Sequence, residues 1–406
     1  MATVEKRGNT YRIRASAGYD ANGEQIRPSM TWKPAPGMTA KQIAKELERQ
    51  KVLFDERVSA GAAQDSNIKF RDFADQWLTG YAEKQLKIKT VNGYRKLLVR
   101  VNQAIGHIKL KDLKTGHLNS FYANLEEEGM NLHTGGQLSA NSVRAYHRVI
   151  SSILSKAVKW GYIPFNPAMN AELPKQEPRE APHLEEADAR RLLERLHKAP
   201  IKYRAMITFD LLSGLRRGEL LGLRWCDVDF QNQTITIEQT SSYVSGKGIY
   251  TDTPKNKTSV RPLKLSRSAF LMLQEYKEWQ DAQRAACGDF WKDKDGRVFT
   301  GDDGAPVHPD ALTKWFSGFV KRAGLPKVSI HSLRHTYASL MIADGTPLVV
   351  VSRRLGHAQV STTANIYAHV IASADERAPP VFVFPEIPAG GPLRGRAGRP
   401  GDGKVR

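Results

Sequence analysis

Residues 328–371 read VSIHSLRHTYASLMIADGTPLVVVSRRLGHAQVSTTANIYAHVI, and the rest of the chain is organised around this stretch. It holds His331 and Arg334, then Gly356-His357, then Tyr367. Residues three apart on a helix share a face, so His331 and Arg334 can address one target. A guanidinium offers a rigid fork of donors and an imidazole can give or take a proton, a pairing suited to an anion such as a phosphate. The segment 347–355 ends at Gly356, a residue fitted to a helix C-cap, which would deliver His357 to a helix end. Ser361, Thr362 and Thr363 can N-cap one more helix, carrying Tyr367. If these groups converge, they make a phosphate site with a phenol in it.

Simpler readings compete. His331 and His335 stand four apart like a metal pair, but no Glu lies between them in the H-E-x-x-H manner, and no metal is expected. Each His or Arg alone is more often capped or solvated. Tyr367 alone would be a half-buried core tyrosine with its hydroxyl paired. The combination, with two further pieces upstream, favours the anion site.

The chain has 406 residues and a formal net charge of +19, with a pI near 9.8. That length predicts two or three domains with room for buried cores. The positive excess is spread over every segment and is densest in residues 66–175, where 16 basic face 8 acidic side chains. Such a balance points to a polyanion that the whole protein embraces, most simply nucleic acid. A membrane surface is the rival, and the sequence has neither an apolar run of 18 residues or more nor a signal peptide. Cys226 and Cys287 form no ligand motif, in keeping with a reducing cytosol.

Residues 1–62 read as a small β module with a helix. TYRIRA (10–15) alternates apolar and basic side chains, DANG (20–23) signals a hairpin, and residues 26–32 return as a strand. A helix follows from Thr39, whose hydroxyl and Gln42 make a capping box, with Ile43, Ala44, Leu47 and Phe54 toward the sheet. Arg12 and Arg14 on one sheet face could enter a major groove, although such a face can also be merely solvated. Residues 59–67, small and polar, are a linker.

Residues 67–168 read as all-helical. Phe70, Phe73, Ala74, Trp77, Leu78 and Tyr81 recur at helical spacing; Thr90 can cap a second helix; a third runs over about 115–128. Ser139 opens a long helix whose stripe is Val143, Tyr146, Ile150, Ile153, Leu154, Ala157 and Trp160. Lys84, Lys87, Lys89, Arg95, Lys96, Arg144 and Arg148 lie off these stripes and are candidate phosphate contacts. AELPKQEPREAP (171–182) is an extended hinge.

The domain expected over 180–372 begins with helices from Leu184 and Pro200. SGLRRGEL (213–220) is a turn leading into a short helix, where Arg216 would stand beside free backbone N–H groups. Residues 234–239 and 259–265 read as strands, and TPKNKT (253–258) as a turn that puts Lys255 at a hairpin tip. Residues 373–406 are rich in Pro and Gly and are expected to be disordered; VFVF (381–384) could add a strand to a partner.

SGLRRGELLGLRW, TPKNKTSVRPL, HSLRHTYAS and LGHAQVSTTANIYAHV, in that order, resemble the active-site boxes of the tyrosine recombinases, the phage-type integrases. The spacings fit as well: 39 residues from Arg216 to Lys255, 76 on to His331, and 23 from Arg334 to His357. The boxes span about residues 180–372, and the helical segment before them resembles that family's core-binding domain. The N-terminal module resembles the arm-binding domains of integrases from phages and integrative conjugative elements of Gram-positive bacteria. Only the Pro/Gly-rich tail departs from the pattern.

The resemblance implies a multidomain fold: a small α+β arm-binding domain, an all-α core-binding domain, and a mixed, mainly-α catalytic domain with a small antiparallel sheet. It also implies a site-specific recombinase that cuts and rejoins double-stranded DNA at core and arm sites. Tyr367 is the nucleophile, making a 3′-phosphotyrosyl link. Arg216 and Arg334 hold the phosphate, His331 takes the phenolic proton, Lys255 protonates the leaving oxygen and His357 adds a hydrogen bond. Neither ATP, metal nor another cofactor is expected. The expected assembly is a homotetramer built on DNA in a bacterial cytoplasm, at the nucleoid, with an excision factor and a host DNA-bending protein as possible partners. Two other classes are weighed. A type IB topoisomerase would use similar chemistry but does not need the N-terminal module. A non-enzymatic DNA-binding regulator would explain the charge but not the tyrosine with its cationic set.

Overall fold

Alternation along TYRIRA buries Ile13 and Ala15 on one side of a sheet and leaves Arg12 and Arg14 on the other. In the computed structural model, which describes residues 2–19, 24–25, 27–59, 67–176, 180–252 and 260–371, the chain divides between Arg179 and Glu180 into two compact units. DANG, the turn with Lys255 and the tail 373–406 fall outside the described residues.

The first unit opens with an antiparallel sheet in the order β1 (Thr3–Arg7), β2 (Thr10–Arg14), β3 (Ser29–Trp32). Helix α1 (Ala40–Ser59) starts at the expected capping box: Gln42 Oε1 accepts from Thr39 N at 2.9 Å, and Thr39 Oγ1 from Gln42 N at 3.4 Å. Leu47, Phe54 and Val58 of α1 meet Ile13, Ala15, Met30 and Trp32 in a small core. Ala44, expected to face the sheet, is exposed.

The helical part holds α2 (Phe70–Trp77), α3 (Glu83–Gln85), α4 (Ile88–Ala104), α5 (Thr115–Leu125) and α6 (Ala140–Lys159), and a π-helical turn, Leu78–Ala82, joins α2 to α3. Its core contains Phe70, Phe73, Trp77, Leu98, Val101, Ile150, Ile153 and Leu154, and each fully buried Phe contributes about 1.5–3 kcal/mol. Ser139 caps α6 by accepting from Ser142 N, a bond typically worth ~1 kcal/mol. Helix α4 begins two residues before Thr90: Lys87 is its N-cap, and its carbonyl already accepts from Thr90 N at 2.8 Å.

In the second unit α7 (Glu186–Leu196), α8 (Ile201–Ser213) and α9 (Arg217–Gly222) lead to an antiparallel sheet of β4 (Val228–Asp229), β5 (Thr234–Ile237) and β8 (Arg261–Lys264), in the order β4-β5-β8. A second hairpin, β6 (Thr240–Val244) with β7 (Gly248–Asp252), had no sequence expectation because its Ser- and Thr-rich strands lack an apolar alternation. Then follow α10 (Arg267–Cys287), α11 (Pro309–Arg322), α12 (Ile330–Ala343), α13 (Leu348–Leu355) and α14 (Val360–Ile366). Helix α8 packs against both α10 and α12, within a core that contains Phe209, Leu273, Tyr276, Phe299, Phe316 and Leu333. Small antiparallel sheets among helices give the mixed, mainly-α class expected. Among the described residues no helix is long and apolar enough to cross a membrane.

Candidate active site

Helix α8 ends on Gly214 in the left-handed region (φ 63°), with the Tyr337 ring of α12 packed directly on it. The reversal sets Arg216 as N-cap of α9. Its backbone N donates to Glu219 Oε2 at 3.0 Å and its Nη1 to Oε1 at 2.7 Å, while Nη2 donates to the Gly356 carbonyl at 3.1 Å. The Arg216 side chain keeps 38 % exposure, enough to reach a ligand.

Helix α12 starts at Ser329, which exchanges hydrogen bonds with Ser332 in a capping box. Two residues into this box, His331 is exposed, and one helical step later Arg334 is 2 % exposed. Arg334 donates from Nη1 to the Gly214 carbonyl at 2.9 Å and from Nη2 to the Leu355 carbonyl. Burial, reinforced by the Arg216 guanidinium, pulls its pKa down to about 9. Such a cation gains from an incoming anion.

Helix α13 ends on Gly356, again left-handed (φ 65°), and turns His357 back so that its N–H reaches the Ser352 carbonyl. His357 Nδ1 lies 2.8 Å from Thr363 Oγ1, and burial together with Arg334, Arg216 and Arg261 pushes its pKa down to about 4. Helix α14 differs from expectation. Gln359 is its N-cap and Thr363 is buried inside it, so Tyr367 stands at the C-cap rather than in a helix opened by Ser361–Thr363.

Tyr367 is 2 % exposed, in a small core with Ala338, Ile342, Val351 and Leu355. Burial pushes the phenol up to about 12, with Arg334 opposing. Its hydroxyl lies 2.9 Å from Nδ1 of His335, not against His331. The two imidazoles meet edge-on, with centroids 4.8 Å apart. Burial, His331, Arg334 and His183 lower His335 to about 4; burial, Arg334 and Arg216 lower His331. Both rings are therefore neutral near pH 7.

Arg216, Arg334, His331, His357 and Tyr367 thus belong to one neighbourhood, while Lys255 lies outside the described residues. Sequence reading missed three members: His335, Glu219 and Arg261. The four-residue spacing from His331 was the available signal for His335, and the N3 position after Arg216 for Glu219. For Arg261 the signal was its place inside the box TPKNKTSVRPL; it is a buried strand residue whose Nη2 meets Glu219 Oε2 at 3.1 Å and whose Nε donates to the Arg354 carbonyl at 2.7 Å. Among the described residues no group of three or more His, Cys, Asp or Glu could hold a metal ion.

The basic candidates of the first unit are less uniform. Arg12 donates to Ser29 Oγ, and Arg14 pairs with Glu5 at 3.4 Å, so an acid shares their sheet face. Lys84, Lys87, Lys89, Lys96 and Arg148 are exposed; Arg95, also exposed, pairs with Glu83. Arg144 is half-buried and donates to the Pro174 carbonyl at 3.0 Å, which ties α6 to the segment after it.

A helical module followed by a mainly helical domain with a tyrosine near its end is the architecture of the tyrosine recombinases. Residues 182–373 match the phage integrase family and residues 69–173 its SAM-like domain, and the chain belongs to this family. A XerC-like tyrosine recombinase of Caldanaerobacter subterraneus subsp. tengcongensis is 27 % identical over 381 residues, covering 89 % of this chain and 92 % of that protein. The ICEBs1 integrase of Bacillus subtilis is 24 % identical over 375 residues, covering 91 % and 96 %. In fold, the chain resembles the Tn1549 transposon integrase solved in complex with transposon right end DNA (TM-score 0.64, 20 % identity, 76 % of this chain and 98 % of that one). The chain is a site-specific integrase-type recombinase; the topoisomerase and regulator readings gain no support from these relatives.

Proposed function

We propose that the second unit binds one DNA phosphodiester between Arg216 and Arg334 and that Tyr367 attacks its phosphorus in line. The attack forms a 3′-phosphotyrosyl bond and releases a 5′-oxygen, which takes a proton from Lys255. His357 adds a hydrogen bond to the phosphate, and an imidazole of α12 receives the phenolic proton. A partner strand's 5′-hydroxyl then attacks the phosphotyrosine and restores a phosphodiester. Bond energy is kept throughout, so neither ATP nor a metal is needed. Phosphoryl transfer asks mainly for positioning and charge stabilisation, which two guanidiniums supply. The observation that carries this reading is the convergence of Arg216 and Arg334 on the turn that holds His357.

The same reading gives the first unit the task of gripping DNA. Lys84, Lys87, Lys89, Arg95, Lys96, Arg144 and Arg148 contact core-site phosphates, and Arg12 and Arg14 address a major groove at arm sites. Protomers assemble as a tetramer on DNA in a bacterial cytoplasm, with an excision factor and a host DNA-bending protein as further partners. Residues 1–62, 67–168 and 180–372 act as the arm-binding, core-binding and catalytic domains. The test is Tyr367→Phe, which should bind duplexes carrying the element's ends yet form no SDS-resistant adduct. A persisting adduct would remove Tyr367 from the role.

A further inference from the structure

One contact at the site has no distinct task in the scheme above: the 2.9 Å approach of Tyr367 Oη to His335 Nδ1. We infer that His335 both aims the phenol before attack and takes its proton as the bond to phosphorus forms. The inference rests on the reading of Tyr367 as nucleophile. As Oη bonds to phosphorus, its O–H bond breaks and the proton passes to Nδ1. The P–O5′ bond breaks on the opposite side, and the leaving oxygen is protonated by Lys255. In the rejoining step the imidazolium of His335 returns its proton to the phenol oxygen as the tyrosine departs, as microscopic reversibility requires.

Geometry favours His335 over His331. The Tyr367 hydroxyl is enclosed, so an acceptor must already lie within hydrogen-bond distance, and His335 does. His331, one turn earlier on α12, is exposed, and its ring lies perpendicular to that of His335. For Nδ1 to accept, His335 carries its own proton on Nε2.

The charged surroundings give the transfer a condition. In the free chain His335 is surrounded by His331 and Arg334 of its own helix, His183 from the segment before α7, and Tyr367 beyond α14. With the phenol near 12 and the imidazole near 4, the proton stays on oxygen. A phosphodiester held by Arg216 and Arg334 brings a negative charge that offsets the Arg334 field and raises the basicity of His335. The nucleophile is thereby kept protonated until DNA occupies the cup.

The test uses the full chain in single-turnover cleavage of duplexes carrying the element's ends, read as SDS-resistant adduct. His335→Ala removes acceptor and base together. His335→Asn places a carbonyl oxygen near the Nδ1 position, which accepts a hydrogen bond but not a proton. Both are made with tyrosine and with 3-fluorotyrosine, a more acidic phenol, at position 367. Both His335 variants should bind DNA normally and cleave about 10²–10³-fold more slowly, and fluorotyrosine should restore at least about tenfold in each but not in the parent. A purely structural role would be indifferent to phenol acidity. Cleavage by His335→Asn within about threefold of the parent, or equal fluorotyrosine effects in parent and variants, would overturn the proton-accepting role; should His335→Ala fail to fold, His335→Asn decides alone. Adduct formation by the parent but not by Tyr367→Phe keeps the nucleophile assignment separate from this outcome.

Discussion

Arg216 and Arg334, far apart in the chain, donate to adjacent carbonyls, those of Gly356 and Leu355 at the end of α13. A helix C-terminus carries partial negative charge and unsatisfied carbonyls, so it can hold two guanidiniums together before DNA arrives. Each Arg has five N–H donors, and these bonds leave others free for phosphate oxygens.

Removing one clamp should therefore be costly to chemistry and mild to fold. Arg216→Ala should cleave about 10²–10³-fold more slowly in single turnover, by analogy with the loss of one oxyanion donor. Cleavage near the parent rate would contradict the clamp.

Beneath Arg216, Glu219 is 1 % exposed and pairs with buried Arg261. Burial opposes the charge of Glu219, but Arg261 and Arg216 hold its pKa below the ordinary value. The pair's contribution is present above the usual carboxylate pKa and lost as pH falls through the lowered one. Arg261→Met should destabilise the second unit by up to about 3–5 kcal/mol because a buried carboxylate loses one of its two guanidinium partners. Adding Glu219→Leu should recover much of that stability in denaturant titration without recovering cleavage, since Arg216 then lacks its support.

Two glycines of the second unit separate strain from collision. Gly345 has φ 82° and open space where a Cβ would stand, whereas a Cβ on Gly214 (φ 63°) would fall 2.2 Å from Tyr337 Cδ1. Gly345→Ala should cost about 1–2 kcal/mol of backbone strain. Gly214→Ala should cost clearly more, and it should slow cleavage as Arg216 shifts. Equal denaturation midpoints for the two variants would refute the packing argument.

Stability should fall on acidification in a defined window. His335 and His357 have folded pKa values of about 4, below the ordinary 6.5, so the unfolded chain binds more protons between these values. Stability from these groups is complete above about pH 6.5 and declines toward pH 4. His357→Gln should flatten that part of the stability profile; an unchanged slope would show that His357 is as readily protonated folded as unfolded.

The sequence by itself determined the local devices. Thr39, Ser139 and Gly356 set helix ends where expected because capping depends on a few neighbouring residues. Periodicity placed Phe70, Phe73, Trp77 and Ile153 in a core because burial follows helical spacing. Ordered boxes named Arg216, His331, Arg334, His357 and Tyr367. Only the tertiary structure decided what these residues touch. The His335 contact with Tyr367 joins α12 to the segment after α14, and Arg261 joins β8 to α9 and α13. A hydrogen bond between side chains distant in sequence depends on how helices cross, and no local propensity encodes that crossing. The start of α14 was misplaced for the same reason: Thr363 looked like a cap, but packing buried it against His357, and the helix began earlier.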